Sequence, residues 1–171
     1  VQALLATSDG SVWVASHRPS SLHRISPGDG TLVTYPLAAD ISPSALVESR
    51  GSIFAATTQS GTMTRVGPDG GLTEVFVQLP LGAEPIALSA GTDGTLYSAD
   101  WQTGAILQIA ADGSAGHGGE TTTQECARLP LRTMPVAMTD EHQGAVFIAA
   151  GSGLFRLETG DGALAEILNY P

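Results

Sequence analysis

The chain has 171 residues, 42% of them apolar and 14% charged, which bounds it to one globular domain rather than a disordered or fibrous chain. Seventeen acidic residues against seven arginines and no lysine give a formal charge of −10, so a nucleic-acid backbone or an anionic membrane would be repelled and a lysine Schiff base is excluded. No apolar run approaches the roughly 20 residues that cross a bilayer, so no membrane insertion is expected, and the lone Cys126 allows neither an intrachain disulfide nor an all-cysteine metal site.

Taken in order, the elements repeat. "VQAL" at residue 1 is followed by "DGSVWVASHRPSSLHRISPGDGT" from Asp9; "PSAL" from Pro43 introduces "RGSIFAATTQSGTMTRVGPDGG"; "PIAL" from Pro85 introduces "DGTLYSADWQTGAILQIAADGS"; and "PVAM" from Pro135 introduces "QGAVFIAAGSGLFRLETGDGA". The first-turn glycines are Gly10, Gly51, Gly94 and Gly144, stepping by 41, 43 and 50 residues; the second are Gly30, Gly70, Gly113 and Gly162. Each copy holds four short apolar or alternating runs bounded by Gly, Pro and Asp, and helical spacing is nowhere sustained. In the second copy the runs fall at about 45–48, 52–57, 62–66 and 72–79.

A repeat of about 42 residues with four strands predicts an all-β fold, a β-propeller of four blades of four antiparallel strands. The blades fall at 1–42, 43–84, 85–134 and 135–171 of a single domain. A closed four-bladed ring is the favoured arrangement, with part of a larger propeller as the alternative. The second run of each copy centres on an aromatic residue, Trp13, Phe54, Tyr97 or Phe147, which is expected to fill the space between neighbouring sheets and so to be buried. The third run carries a polar slot, Arg24, Arg65, Gln108 or Arg156, followed across the turn by Thr34, Glu74 and Glu166 in three copies. A two-residue turn at Asp69-Gly70 would set Arg65 opposite Glu74 as a structural ion pair.

The phrases "DGSVWVAS", "LHRISPGDGTLVTYPL" and "MTRVGPDGGLTEVFVQLPL" resemble the repeats of the virginiamycin B lyase-like propellers and, more loosely, the NHL and gluconolactonase-like propellers. The resemblance covers the whole chain and implies architecture. In the lyase family a blade phrase ends in a Trp-Phe-Thr-Glu-like sequence, and a Pro-His-Gly-like phrase introduces the strands facing the channel. Here the acid slot reads Ser16, Thr57, Asp100 and Ala150, and the histidine slot reads Gln2, Ser44, Ile86 and Val136. The resemblance makes Asp100, Thr57 and Ser16 the channel-facing candidates. An isolated Asp supplies neither a ligand set nor a base matched to neutral pH, so no catalytic residue, metal ligand or cofactor is assigned; Ca²⁺ or Mg²⁺ at Asp100 with backbone oxygens is the alternative.

His17, His23 and His142 read as surface histidines. "GSAGHGGETTTQEC", 113–126, lengthens the third copy and is either a contact loop or a disordered insertion; its contact candidates are His117, Glu120, Glu125 and Cys126. No phosphate-binding loop and no nucleophile, base and orienting residue come together. The chain opens on Val, which points to a removed leader or a longer N-terminal region and, with the secreted habit of similar propellers, to an extracellular or cell-surface location. The expected function is a non-enzymatic interaction or structural module whose partner is a protein, a glycan or a second copy of itself. A lyase-like or lactonase-like enzyme using a divalent cation is the alternative.

Overall fold

Several turns of the repeat are built by an aspartate that accepts the backbone amide two residues on. Asp9 Oδ1 accepts the amide of Ser11 at 2.9 Å, Asp93 Oδ1 that of Thr95 at 2.8 Å, and in the second turns Asp29 Oδ1 that of Thr31 at 3.0 Å and Asp161 Oδ1 that of Ala163 at 2.9 Å. This closes the chain locally without a ladder bond and directs the next strand back along the last. The glycine that follows must then take a left-handed conformation, as Gly10 does at φ +83°, which a side chain would strain.

The computed structural model describes residues 1–67, 69–110, 115–116, 120–121, 123–151 and 153–169, and no helix occurs among them. The first sheet holds β1 (Ala3–Ala6), β2 (Val12–His17), β3 (Ser20–Ile25) and β4 (Leu32–Pro36), and the second β5 (Pro43–Ser49), β6 (Ser52–Thr57), β7 (Thr62–Val66) and β8 (Leu72–Gln78). The third holds β9 (Pro85–Ala90), β10 (Leu96–Asp100), β11 (Ala105–Ile109) and β14 (Thr123–Arg128), with a two-stranded ribbon of β12 (Ala115–Gly116) and β13 (Glu120–Thr121) inserted before its last strand. The fourth holds β15 (Pro135–Met138), β16 (Ala145–Ala150), β17 (Gly153–Glu158) and β18 (Leu164–Asn169). Each four-stranded sheet is antiparallel with its strands paired in chain order, so the fold is all-β and its four sheets are propeller blades.

The chain forms two compact units, Val1–Gly82 with the first two blades and Ala83–Pro171 with the last two. In the first unit the core is shared by Trp13, Ala15 and Leu22 of one blade and Leu46, Ala55 and Val66 of the next. In the second it is shared by Ala87, Tyr97, Ala99, Ile106 and Leu129 and by Val146, Ile148, Ala150, Phe155 and Leu157. Strand alternation produces this directly, because odd positions of β2 face the partner blade and even ones face away. The aromatic slot is buried at Trp13, Phe54 and Tyr97, but Phe147 is only half-buried. The covered aromatics each have a neighbour: Trp13 stacks on Tyr35 at 5.7 Å, Phe54 meets Phe76 at 4.8 Å, and Tyr97 packs in the cluster with the fourth blade, after which no blade follows in its unit.

The polar slot is in register as expected only in the second blade, where Arg65 lies opposite Glu74. The loop there is longer than two residues, with Gly67 donating to Gly71 O at 2.7 Å, and a bulge between Arg65 and Val66 restores the pairing. The Glu74 side chain, and with it the expected ion pair, lies outside the described residues. In the first blade Thr34 pairs with His23 and Arg24 with Val33, and in the fourth Glu166 pairs with Phe155 and Arg156 with Ala165. The different turn lengths shift both by one residue, and a one-residue shift moves a side chain to the other face. Tyr35 of the first blade covers the second turn of the next: it lies so close over Gly70 that a Cβ there would fall within its ring.

Candidate functional site

Asp100 ends β10, beside a register shift in the pairing with β9, and only 4% of its surface is exposed. Its Oδ2 accepts the backbone amide of Glu84 at 2.6 Å, and its Oδ1 accepts the amide of Thr103 at 2.7 Å and the Thr103 hydroxyl at 2.6 Å. Three of the roughly four acceptor directions of a carboxylate are thus spent on the strand that enters the blade and on the β10–β11 turn. Thr57, in the same slot one blade earlier, does the same with a hydroxyl: its Oγ1 lies 2.5 Å from Ser60 Oγ and 2.7 Å from Thr62 Oγ1. Ser16 is half-buried opposite Ser21. The slot closes hairpins, and among the described residues no group of three or more His, Cys, Asp or Glu is placed to hold a metal ion.

The contact-loop candidates separate. His117 lies outside the described residues, and Glu120 falls in β13, its side chain likewise undescribed. Glu125 and Cys126 correct the expectation of a loop, because they belong to β14, the last strand of the third blade. Glu125 pairs with Arg128 through two bonds of 2.8 and 2.5 Å, and Cys126 donates to Ile106 O at 3.4 Å. Four residues of the apparent insertion, 123–126, belong to the strand that completes the sheet, and the ladder to β11 outweighs their weak strand pattern. His23 is more than a surface residue, held between Ser21 Oγ and Thr34 Oγ1 at 2.9 Å each, while His17 Nδ1 lies 2.7 Å from Ser42 Oγ.

Sequence reasoning missed two clefts, one within each unit, beside the aromatic and polar slots. The first, of about 550 Å³, is lined by Asp9, Trp13, Arg24, Glu48 and Arg65 among others. Arg24 lies over the Trp13 ring at 5.9 Å and Arg65 over Phe54 at 5.7 Å, each a cation held against a π face. Arg24 also bridges to Asp9 at 2.8 Å. The Asp9 carboxyl is lowered to about 2, first by the Thr7 hydroxyl and then by the amide and hydroxyl of Ser11 and the charge of Arg24. The second cleft, of about 250 Å³, is lined by Tyr97, Gln108, Gln124, Cys126, Glu158 and Asp161 among others. Burial, reinforced by the charges of Asp93, Cys126 and Glu141, pushes the Tyr97 phenol up to about 12, and burial pushes the Cys126 thiol up as well. Both stay protonated at neutral pH, so neither is an activated nucleophile. The signal for these clefts lay in the polar slot itself, a polar residue set beside the aromatic in every blade.

No protein-family model matches the chain, and no curated protein matches it in sequence. Solved structures do. The virginiamycin B lyase of Staphylococcus aureus, in a catalytically inactive histidine-to-alanine form with quinupristin, is 25% identical over 98% of this chain and 55% of its own, with a TM-score of 0.76. A protein classed as a gluconolactonase matches with 18% identity over 98% of this chain and 63% of its own, at a TM-score of 0.74. A chain of a nidogen/laminin complex matches with 16% identity over 98% and 78%, at 0.64. The architecture is that of a virginiamycin B lyase-like β-propeller, and the chain spans about 55% of the length of the lyase it matches.

Proposed function

We propose that this protein is a non-enzymatic β-propeller module that binds a protein or a glycan, or builds an extracellular assembly, at the cell surface or outside the cell. The observation that supports this reading best is the Asp100 carboxylate, whose oxygens are engaged by Glu84 and Thr103 of its own blade. A general base must be free to reach a substrate proton, and this one is 4% exposed and already accepting three bonds. The nidogen/laminin match is to a propeller found in a protein–protein complex. A second reading, an elimination or lactone-opening enzyme using a divalent cation, draws on the 25% identity to the lyase.

The two readings separate with one preparation. Incubated with quinupristin or a simple lactone, with and without Mg²⁺ or Ca²⁺, the protein is expected to leave both unchanged by chromatography. Chelator should leave its melting temperature where it was, since a bound ion adds RT ln(1 + [L]/Kd) of stability. Turnover that disappears in Asp100→Asn, or a melting temperature that falls with chelator and returns with Mg²⁺ or Ca²⁺, overturns the binding reading. A positive result for it is saturable capture of a defined glycan or matrix protein by the unmodified chain.

A further inference from the structure

Within the second unit the third blade presents a row of polar side chains to the fourth. Tyr97 of β10 lies opposite Gln108 of β11, and Gln108 opposite Gln124 of β14, so the three share one face and step across it at the roughly 4.8 Å spacing of neighbouring strands. The row deepens as it runs inward: Gln124 is exposed, Gln108 half-buried and Tyr97 only 3% exposed. All three line the cleft of about 250 Å³ whose other wall is the 158–162 turn of the fourth blade. That turn is seated directly on β14, since a Cβ on Gly162 would come within 2.7 Å of the Cys126 carbonyl oxygen, so packing fixes both walls.

The groups of this row are unspent. Among the described residues no hydrogen bond within the protein engages the Tyr97 phenol or either side-chain amide. Ser89 continues the row on β9 opposite Tyr97; it is fully buried, and among the described residues its hydroxyl has no partner. The equivalent group of the first unit is engaged: Arg24, in the slot of Gln108, bonds Ser11 and Asp9 and covers the Trp13 ring. Each amide offers donors and an acceptor, and the phenol one of each. On the facing wall Asp161 accepts the Ala163 amide through one carboxylate oxygen, and Glu158 is paired with Arg156. These carboxylates disfavour an anion, and an apolar ligand would strip water from the amides without replacing its bonds. Neighbouring hydroxyls on a ring donate to carboxylate or amide oxygens and accept from amide N–H groups, so they satisfy both walls. The volume, just under the roughly 300–1,000 Å³ of ligand pockets, suits one ring rather than a chain. We propose that this cleft binds an uncharged sugar residue, held by Gln108 and Gln124 with Tyr97 as the floor. The assignment rests on the binding reading and gives its glycan form a place.

Titration of the isotope-labelled protein with glucose, galactose and N-acetylglucosamine, each to about 100 mM, reads the site through the side-chain amide resonances of Gln108 and Gln124. At least one of the three is expected to shift both pairs saturably, with a Kd of about 1–10 mM. Gln108→Ala and Gln124→Ala should each weaken that sugar roughly tenfold and leave melting unchanged. Gln124 is exposed, so its variant carries the test if Gln108→Ala fails to fold. Glucuronate, a similar ring bearing a carboxylate, should bind at least about tenfold more weakly than glucose. The proposal is overturned if none of the three sugars shifts either pair, if the binding survives both substitutions, or if glucuronate binds as well as glucose. It is equally overturned if N-methylacetamide, a mimic of peptide main chain, shifts the pairs at lower concentration than any sugar. A glycan or matrix protein still captured by the doubly substituted chain would defeat this site and leave the binding reading standing.

Discussion

The first unit and the second are joined inside by the same device and differ in what lies beside it. In the first, the amide and hydroxyl of Ser8 both donate to Glu48 at 2.6 Å; in the second, the amide and hydroxyl of Thr92 donate to Glu141 at 2.8 and 3.2 Å. Each pair ties the first turn of one blade to the introducing segment of the next. Beside this clasp the first unit holds arginine over an aromatic ring, and the second holds a row of Tyr97, Gln108 and Gln124 across one face. The framework therefore accepts either an aromatic–cation stack or an aromatic–amide row. The apolar core and the clasp join the blades, and the slots set the chemistry of the clefts.

The largest expected break is Trp13→Ala, which empties the ring site between Tyr35 and the Leu46–Val66 face and should cost about 3–5 kcal/mol in chemical denaturation. By contrast Arg24→Gln, which gives the first unit the slot residue of the second, should cost less than about 1 kcal/mol. An equal loss from both would mean that the cation stack, and not the core, carries the joint.

Next is Asp100→Ala, which strands the amides of Glu84 and Thr103 in a buried turn and should cost about 2–4 kcal/mol. Thr57→Ala, in the same slot of the first unit, should cost about 1 kcal/mol, because a hydroxyl with flexible hydroxyl neighbours is replaced more easily than a carboxylate. A neutral Asp100→Ala would remove the structural account of that residue. Glu48→Gln and Glu141→Gln should each cost about 0.5–1.5 kcal/mol, read as faster amide exchange at Ser8 and Thr92 respectively.

How much of this was legible follows from what each feature is made of. The four sheets were readable because Asp-Gly turns and alternating apolar runs act locally, and the second blade's strands fall where the pattern put them, at Ser52–Thr57 and Thr62–Val66. The role of Asp100 was not, since two of its three donors are backbone amides, which leave no side-chain signature. The clasps were hidden by distance, as Ser8 and Glu48 are 40 residues apart and Thr92 and Glu141 are 49. Turn length and bulges decided the rest: a bulge after a longer turn kept Arg65 opposite Glu74, whereas the turn before β18 set Glu166 opposite Phe155, and neither is visible in a pattern of period two.

The smallest effect is the most specific to the first unit. Asp9 is held at about 2, below its ordinary value of 3.8, by Thr7 first and then by Ser11 and Arg24, so its ionised form favours the folded state. That contribution is complete above about pH 4 and is lost as the pH falls through the folded value near 2. Asp9→Asn keeps the shape of the turn and removes the charge. Its melting temperature should lie slightly below wild type at pH 5 to 7, and the two should converge as the pH falls from about 4 toward 2. Asp29, lowered by Thr31, titrates in both proteins and cancels in the difference. A gap that persists unchanged at the acid end would mean that Asp9 acts through packing of its turn, and that the ion pair with Arg24 adds nothing to the first unit that the second unit lacks.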